Sequence, residues 1–239
     1  MLVQTNAIVL HTLKYSESSL IAHCYTRDYG IQSFILKGIL SAKKGGLRKA
    51  QFLPLSQLEI VYQHKSNGGL QYIKEAKISF SYTSIHTDIK KNAIALFLSE
   101  IVHKSVYEEE PNPTLFSFLE SAFHWLDTQE EVPNFHLLFL VKLSKFLGFY
   151  PNIESEDALH FDLENGNFTS TPRGKNHLSG PVAQTIKTLL GINFANEIMP
   201  KINQKLRRDV LDTLVHYYEL HLQGFVKPKS LPILLEIFD

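Results

Sequence analysis

One stretch predicts two strands joined by a tight turn: residues 55–79, which read LSQLEIVYQHKSNGGLQYIKEAKIS. In its first half, Leu58, Ile60 and Tyr62 fall on one face of an extended chain, because strand side chains alternate with a period of two. The Asn-Gly-Gly at 67–69 predicts the turn, since these residues tolerate positive φ angles. The second half of the stretch then returns as another strand.

Three further strands precede this hairpin. All five predicted strands are rich in β-branched and aliphatic residues: Thr5–Leu13, Ser19–Thr26, Ile31–Lys37, Leu55–Tyr62 and Leu70–Ser79. Five short strands at the start of the chain are typical of a small closed or partly closed barrel, and five is the number in an OB-fold. From this pattern alone, an open sheet and an SH3-like barrel remain alternatives.

After Ser84 the hydrophobic period becomes that of a helix. We therefore expect an α+β protein, with an N-terminal five-stranded OB-fold barrel in residues 1–80 and an α-helical C-terminal domain in residues 81–239. A cysteine-free insert at about 152–180, with a hairpin around Phe161–Phe168, interrupts the helices. The predicted helices lie around Ile94–Val102, from Pro113, at about Asn134–Leu147, at Pro181–Leu190, at Asn203–Gln223 and from Ser230.

The composition is that of a globular protein with a substantial core: 239 residues, of which 44% are hydrophobic and 20% are charged. The single cysteine, Cys24, excludes an internal disulfide and the common zinc sites that need several thiolates. The longest apolar stretch, Phe135–Val141, is far shorter than the ~18 residues of a membrane span. The N-terminus has no signal-peptide pattern. We expect a cytoplasmic protein with no membrane partner.

Charge is distributed unevenly along a chain with no net charge. Residues 1–78 contain ten Lys and Arg against four Asp and Glu, whereas the remainder contains 14 against 20. A basic surface favours polyanions such as nucleic acid. We interpret the pattern as a basic barrel that binds nucleic acid and an acidic helical part that binds protein partners.

The sequence predicts no catalytic residue, no cofactor and no metal, so we do not expect an enzyme. None of the eleven histidines is paired at the i,i+4 spacing that places two imidazoles on one helix face. Gly174-Lys175 lacks the earlier glycine of a phosphate-binding loop, because position 169 is threonine. His103, His124 and His136 are expected to be structural or surface residues.

The cationic segment, residues 37–49, is the main candidate for function and reads KGILSAKKGGLRK. A cationic, glycine-containing loop beside a sheet can contact several phosphates without sequence preference. The alternative interpretation is that these lysines belong to a solvated surface loop that binds no ligand. The five candidate DNA-binding residues are Lys37, Lys43, Lys44, Arg48 and Lys49. Four nearby aromatic residues would stack on bases if they were exposed, although core packing is favoured for each: Phe34, Phe52, Tyr62 and Tyr72.

Several motifs, in their order and spacing, make the chain resemble the RecO family of bacterial recombination mediators. The similarity is clearest over residues 7–80 and 135–170. The motifs are Ala7–Leu10, Lys14–Leu20, Tyr25–Gly30, Lys37-Gly38, Gln51–Leu55, Leu58-Glu59, Leu70–Ala76, Leu147–Asn152 and Phe161–Phe168.

The resemblance implies an N-terminal OB-fold with a helical C-terminal domain, and binding of single- and double-stranded DNA. It also implies annealing of complementary strands, association with RecR, contact with the acidic tail of single-strand-binding protein, and indirect help in loading RecA. Such a protein would be nucleoid-associated when bound to DNA. Many members carry a four-cysteine zinc module in the insert, but residues 152–180 contain no cysteine, and His160 and His177 do not replace it. We therefore expect no zinc.

Two other functions remain open at this point. The chain could be a protein-interaction scaffold without direct nucleic-acid binding, which an absence of affinity for nucleic acid at low salt would reveal. An RNA-binding OB protein would instead prefer RNA to matched DNA.

Overall fold

The computed structural model describes residues 1–41, 47–65, 69–107, 110–172, 175–194 and 200–238. These residues form two compact units, Met1–Gln129 and Glu130–Asp239. The first unit contains all five N-terminal strands and also the first two helices. The boundary expected near residue 80 separates strands from helices, and it stays a prediction about domain organisation.

The five N-terminal strands close into a barrel in the order β1-β2-β3-β5-β4. Neighbouring strands are antiparallel except β3 and β5, which run parallel and share only the pairs Phe34↔Gln71 and Ile35↔Tyr72. This arrangement confirms the expected five-stranded OB-fold barrel. The strands are β1 Leu2–Lys14, β2 Leu20–Thr26, β3 Gly30–Leu36, β4 Gln57–Gln63 and β5 Gln71–Phe80.

The inside of the barrel is filled by the alternating apolar residues of its strands. In β4, Leu58, Ile60 and Tyr62 are fully buried, whereas Glu59 and Val61 between them are only partly buried. The predicted alternation of this strand is therefore confirmed. The core also includes residues of the other strands and of the β3–β4 connection: Val3, Ala7, Val9, Leu20, Ala22, Cys24, Phe34, Leu36, Ile39 and Phe52.

A chain of buried amides closes the barrel where β3 and β5 have few backbone pairs. The side-chain nitrogen of Gln71 donates to the side-chain oxygen of Gln32, and the side-chain nitrogen of Gln32 donates to the carbonyl of Tyr29 at 2.7 Å. The backbone N–H of Lys65 donates to the Gln71 side-chain oxygen at 3.1 Å. Buried amides need such partners, and here they fix where β5 begins.

Helices α1 (Ile89–Ser105) and α2 (Pro113–Thr128) pack in the same unit as the barrel. Tyr25 of β2 packs on Phe116 of α2, with ring centroids 6.0 Å apart. The connection between β5 and α1 is tied to α2 by Asp127, whose buried carboxylate accepts the backbone N–H groups of residues 83–85 at 2.8–3.1 Å. Lys91 of α1 holds the same connection, because its Nζ donates to Ser84 Oγ at 2.7 Å and to the Asp127 carbonyl at 2.8 Å.

The second unit is built around α3 (Phe135–Phe146), which is buried nearly all round, as its uniformly apolar sequence predicts. Helices α4 and α5 pack against it. The α+β order of a barrel followed by helices is thus confirmed. In the described part of this unit the helices are α3 Phe135–Phe146, α4 Pro181–Gly191, α5 Gln204–His221 and α6 Leu231–Phe238.

A small sheet occupies the insert between α3 and α4. It has the order β6-β8-β7-β9, and its β7–β8 hairpin confirms the hairpin predicted around Phe161–Phe168. The Phe161 and Phe168 rings stack with centroids 4.5 Å apart, and both residues are fully buried. The strands are β6 Asn152–Ile153, β7 His160–Asp162, β8 Asn167–Thr169 and β9 His177–Leu178. In the part of the chain that the structure describes, no helix has the length and apolar character to span a membrane.

Candidate nucleic-acid interface

The first end of the cationic segment is fixed by a tight turn after β3. Gly38 has a φ of +70°, and the backbone N–H of Ser41 donates to its carbonyl at 3.0 Å. Ile39 is buried in the barrel core, and the N–H of Leu40 donates to Ser18 in the β1–β2 loop at 3.1 Å. With these residues anchored, the side chain of Lys37 is left exposed at the barrel surface.

The second end of the segment begins a single 3₁₀ turn, Lys49–Phe52. Phe52 is buried in the barrel core, while Arg48 and Lys49 are exposed. Gln51 joins this end to β5, because its side-chain nitrogen donates to the carbonyl of Ala76 at 3.0 Å. The Gln51 side-chain oxygen accepts the backbone N–H of Arg48 at 2.8 Å.

Both ends of the cationic segment therefore lie along one stretch of β5, Tyr72–Ala76, which we call the β5 surface. At the first end, Lys37 Nζ lies 4.8 Å from the centroid of the Tyr72 ring. At the other end, Gln51 contacts Ala76. The two contacts are four positions apart along the strand, which is about 13 Å at the usual rise per residue. Of the five candidate DNA-binding residues, Lys37 contacts this stretch, and Arg48 and Lys49 border it beside Gln51, which bonds to it. Lys43 and Lys44 lie outside the described residues.

The four candidate aromatic residues divide clearly by burial. Phe34, Phe52 and Tyr62 are at most 2% exposed and belong to the barrel core, so they cannot meet a base. Tyr72 is 44% exposed and carries Lys37 against its ring. The sequence alone did not separate these residues, although the alternation along β4 placed Tyr62 on the buried face.

Sequence reasoning missed two exposed cations on β5 itself, Lys74 and Lys77. They are spread along a strand rather than gathered in a loop, so no local concentration of charge in the sequence marked them. Two acidic residues lie beside them on the sheet: Lys77 pairs in register with Glu59, and Glu75 is the next residue after Lys74. The β5 surface is therefore cationic mainly where the segment of residues 37–49 meets it.

Net charge differs less between the two compact units than between residues 1–78 and the rest of the chain. The unit of residues 1–129 has 13 Lys and Arg against 11 Asp and Glu, a net charge of +2, because the region of α1 and α2 brings acidic residues to it. The interpretation of two strongly opposed domains is thus weakened. In the barrel β5 is flanked by β3 and β4, whereas the contacts of α1 with the barrel are mainly with β1.

The histidines named from the sequence all pack against other rings. His103 of α1 packs against the rings of both His11 and His23, with centroids 5.4 and 5.0 Å away, and those two rings are themselves 6.3 Å apart. Burial, followed by the two neighbouring imidazoles, lowers the pKa of His103 to about 4. His124 packs on Phe80 at 3.8 Å, and His136 is buried in α3.

The residues of the insert do not fit the zinc module that the resemblance implies. The chain's one cysteine, Cys24, is buried in β2, and burial raises the pKa of its thiol to about 12. In the insert, the rings of His160 and His177 are 6.5 Å apart. Within the described ranges no three His, Cys, Asp or Glu residues are grouped so that they could hold a metal ion. The hairpin turn is instead held by Asp162, which accepts the N–H groups of residues 164 and 165.

Comparison with known proteins places both parts of the chain in one family. Residues 1–82 match the family model "Recombination protein O N terminal", and residues 86–232 match "Recombination protein O C terminal". Three proteins named DNA repair protein RecO are similar over the whole of both chains. They come from Christiangramia forsetii (42% identical), Flavobacterium psychrophilum (40%) and Bacteroides fragilis (38%). The chain therefore belongs to the RecO family of DNA repair proteins.

Proposed function

We propose that this protein is a recombination mediator that binds single- and double-stranded DNA through the cationic segment and the adjoining β5 surface. In this proposal it anneals complementary strands and, with RecR, helps to load RecA onto DNA coated by single-strand-binding protein. The observation that carries the proposal is the anchoring of both ends of the cationic segment along β5. Exposed Lys37, Arg48 and Lys49 consequently border a single stretch of strand.

The proposed binding mode is contact with phosphates rather than readout of bases. Lysine and arginine side chains that neutralise phosphates release counterions, which gives affinity independent of sequence and sensitive to salt. The 3₁₀ turn Lys49–Phe52 is too short to act as the helix or ribbon that reads a major groove. We therefore expect similar affinity for strands of different sequence.

Annealing follows from the same mode of binding. Contacts to the backbone leave the Watson–Crick edges of a bound strand free, and partial neutralisation of its charge reduces repulsion from the complementary strand. We place the contacts with RecR and with the acidic tail of single-strand-binding protein on the helical part. The proposed location is the cytoplasm, at the nucleoid when DNA is bound.

A fluorescence-anisotropy titration of the full-length protein tests this proposal. The ligands are a labelled single-stranded oligonucleotide, the corresponding duplex and an RNA of the same sequence, all at low salt. We expect both DNA forms to bind, and we expect the protein to accelerate annealing of complementary oligonucleotides in a stirred assay. Annealing at the rate of DNA alone would contradict the proposed activity.

One observation favours the alternative of a protein-interaction scaffold: the unit that contains the barrel has a net charge of only +2, and Glu59 and Glu75 lie on its β4–β5 sheet. A scaffold of this kind would show no affinity for any of the three nucleic acids at low salt. A preference for RNA over DNA of the same sequence would indicate an RNA-binding protein instead.

A further inference from the structure

Tyr72 is an exposed aromatic side chain whose direction is fixed by its neighbours on β5. Gln71 before it is buried and hydrogen-bonded to Gln32, and Ile73 after it packs against the barrel core. Because side chains alternate along a strand, Tyr72 between them points away from the core. The ring is 44% exposed to solvent.

The ring is also held in place before any ligand arrives. Tyr72 pairs in register with Ile35 of β3, so its backbone belongs to the closed barrel and not to a loop. Lys37 Nζ, 4.8 Å from the ring centroid, makes a cation–π contact that restricts both side chains. A ring that is already ordered loses little conformational entropy when a ligand stacks on it.

Lys37 and Tyr72 together present two different groups side by side, a cation and an accessible π surface. Nucleic acid strands carry the complementary pair, since each nucleotide has a phosphate and a flat base. In a duplex the bases are paired and stacked on one another, so their faces are not available to a protein ring. Only a strand with unpaired bases can use both groups at once.

We propose that Tyr72 stacks on an unpaired base while Lys37 contacts a neighbouring phosphate, so that this surface prefers single-stranded DNA to duplex. This inference rests on the proposed function, because it assumes that the β5 surface is where DNA binds. It adds the residue that recognises the base and the form of DNA that the surface selects. Duplex binding then depends on the cations alone.

The test compares the full-length protein with Tyr72→Ala, Tyr72→Phe and a control, Tyr107→Ala. Tyr107 is 59% exposed after the end of α1, beside a run of glutamates, so DNA is not expected to approach it. Each protein is titrated at one salt concentration with an ordinary single strand, a single strand of abasic sites and a duplex. Far-UV circular dichroism and the emission of Trp125 confirm that each variant is folded.

We expect Tyr72→Ala to weaken binding of the ordinary single strand by about fivefold or more, since stacking contributes at least about that factor per base. Binding of the abasic strand and of the duplex should change by less than about twofold, because neither offers an unpaired base to the ring. Tyr72→Phe should retain the wild-type affinities, as phenylalanine keeps the ring.

Two results would overturn the inference alone. If Tyr72→Ala binds the ordinary strand as tightly as the wild type does, Tyr72 does not stack on a base. If affinity for the abasic strand falls equally, the tyrosine acts only by positioning Lys37. If the wild-type protein binds none of the ligands, the proposed function and this inference both fail, and that result is distinct from the other two.

Discussion

Replacing Asp127 with asparagine should destabilise the first unit, because this carboxylate holds the β5–α1 connection against α2. Burial by itself would raise the pKa of Asp127, but hydrogen bonds from the backbone N–H groups of Thr83, Ser84 and Ile85 outweigh that effect and lower it to about 2. An amide has one acceptor oxygen where the carboxylate has two, and its NH₂ group would face these donors. At least one buried N–H would then lack a partner.

The size of the effect follows from the pKa. The carboxyl group of an unfolded aspartate titrates near 3.8, so a folded value of about 2 corresponds to about 2 kcal/mol of stabilisation of the folded unit. Because the folded pKa is the lower one, this stabilisation is complete well above pH 4 and is lost as the pH falls towards 2. By pH 3 about 1 kcal/mol of it should be gone.

Urea unfolding followed by the emission of Trp125 measures this effect in the right unit, since Trp125 is the only tryptophan of the chain and lies in α2. We expect Asp127→Asn to lower the unfolding free energy at pH 7 by about 2 kcal/mol or more, and the difference from wild type to shrink between pH 4 and pH 3. Asp88→Asn is the matched control: Asp88 caps α1 through one bond to the N–H of Lys91, and asparagine caps equally well. A difference that stayed constant from pH 7 to pH 3 would refute the reasoning.

Three further predictions concern single residues. Cys24 should not react with a thiol reagent at pH 8 until the protein is unfolded, because burial raises its pKa to about 12; rapid labelling of the native protein would contradict its burial. In the His103→Gln variant, the unfolding free energy should fall less between pH 6.5 and pH 4 than it does in the wild type, as followed by Trp125 emission. In the wild type the unfolded chain takes up a proton that the folded imidazole, with a pKa of about 4, does not. Gly166→Ala should lower the melting temperature, measured by circular dichroism, more than Gly224→Ala does. Both glycines have positive φ, but a Cβ at position 166 would lie 2.5 Å from the hydroxyl of Tyr217, while position 224 is open; equal effects would argue against the close approach.

The barrel could be predicted from the sequence because its signal is local. The alternation of Leu58, Ile60 and Tyr62 places these residues on one face of β4, and this face is buried in the barrel. The turn predicted at residues 67–69 lies outside the described residues except for Gly69. The helices were predicted for the same reason, and α2 begins at Pro113, as expected from proline at the first helical position. A local pattern does not show which strands that are far apart in the sequence pair with each other. The parallel contact of β3 with β5 depends on Gln32 and Gln71, whose bond joins positions far apart in the sequence.

The candidate site was predictable in part. The concentration of lysine and arginine in residues 37–49 marked the segment, because charge density is a property of sequence alone. The sequence did not show that both ends of this segment lie along β5, since that depends on Lys37 meeting Tyr72 and on Gln51 reaching Ala76. The link between the β5–α1 connection and α2 was not visible in the sequence for a similar reason, because the Asp127 carboxylate joins residues about forty positions apart.

The salt dependence of binding to single-stranded DNA tests the central claim most directly. If about four phosphates are neutralised, a plot of the logarithm of the binding constant against the logarithm of salt concentration should have a slope near −3 for the wild type. Removing three contacts with the combined change Lys37→Ala, Arg48→Ala and Lys49→Ala should bring the slope to about −1. A control that removes the same charge from exposed lysines of the second unit, at positions 145, 201 and 205, should keep the wild-type slope. An unchanged slope in the first variant would contradict the assignment of these residues to the DNA interface.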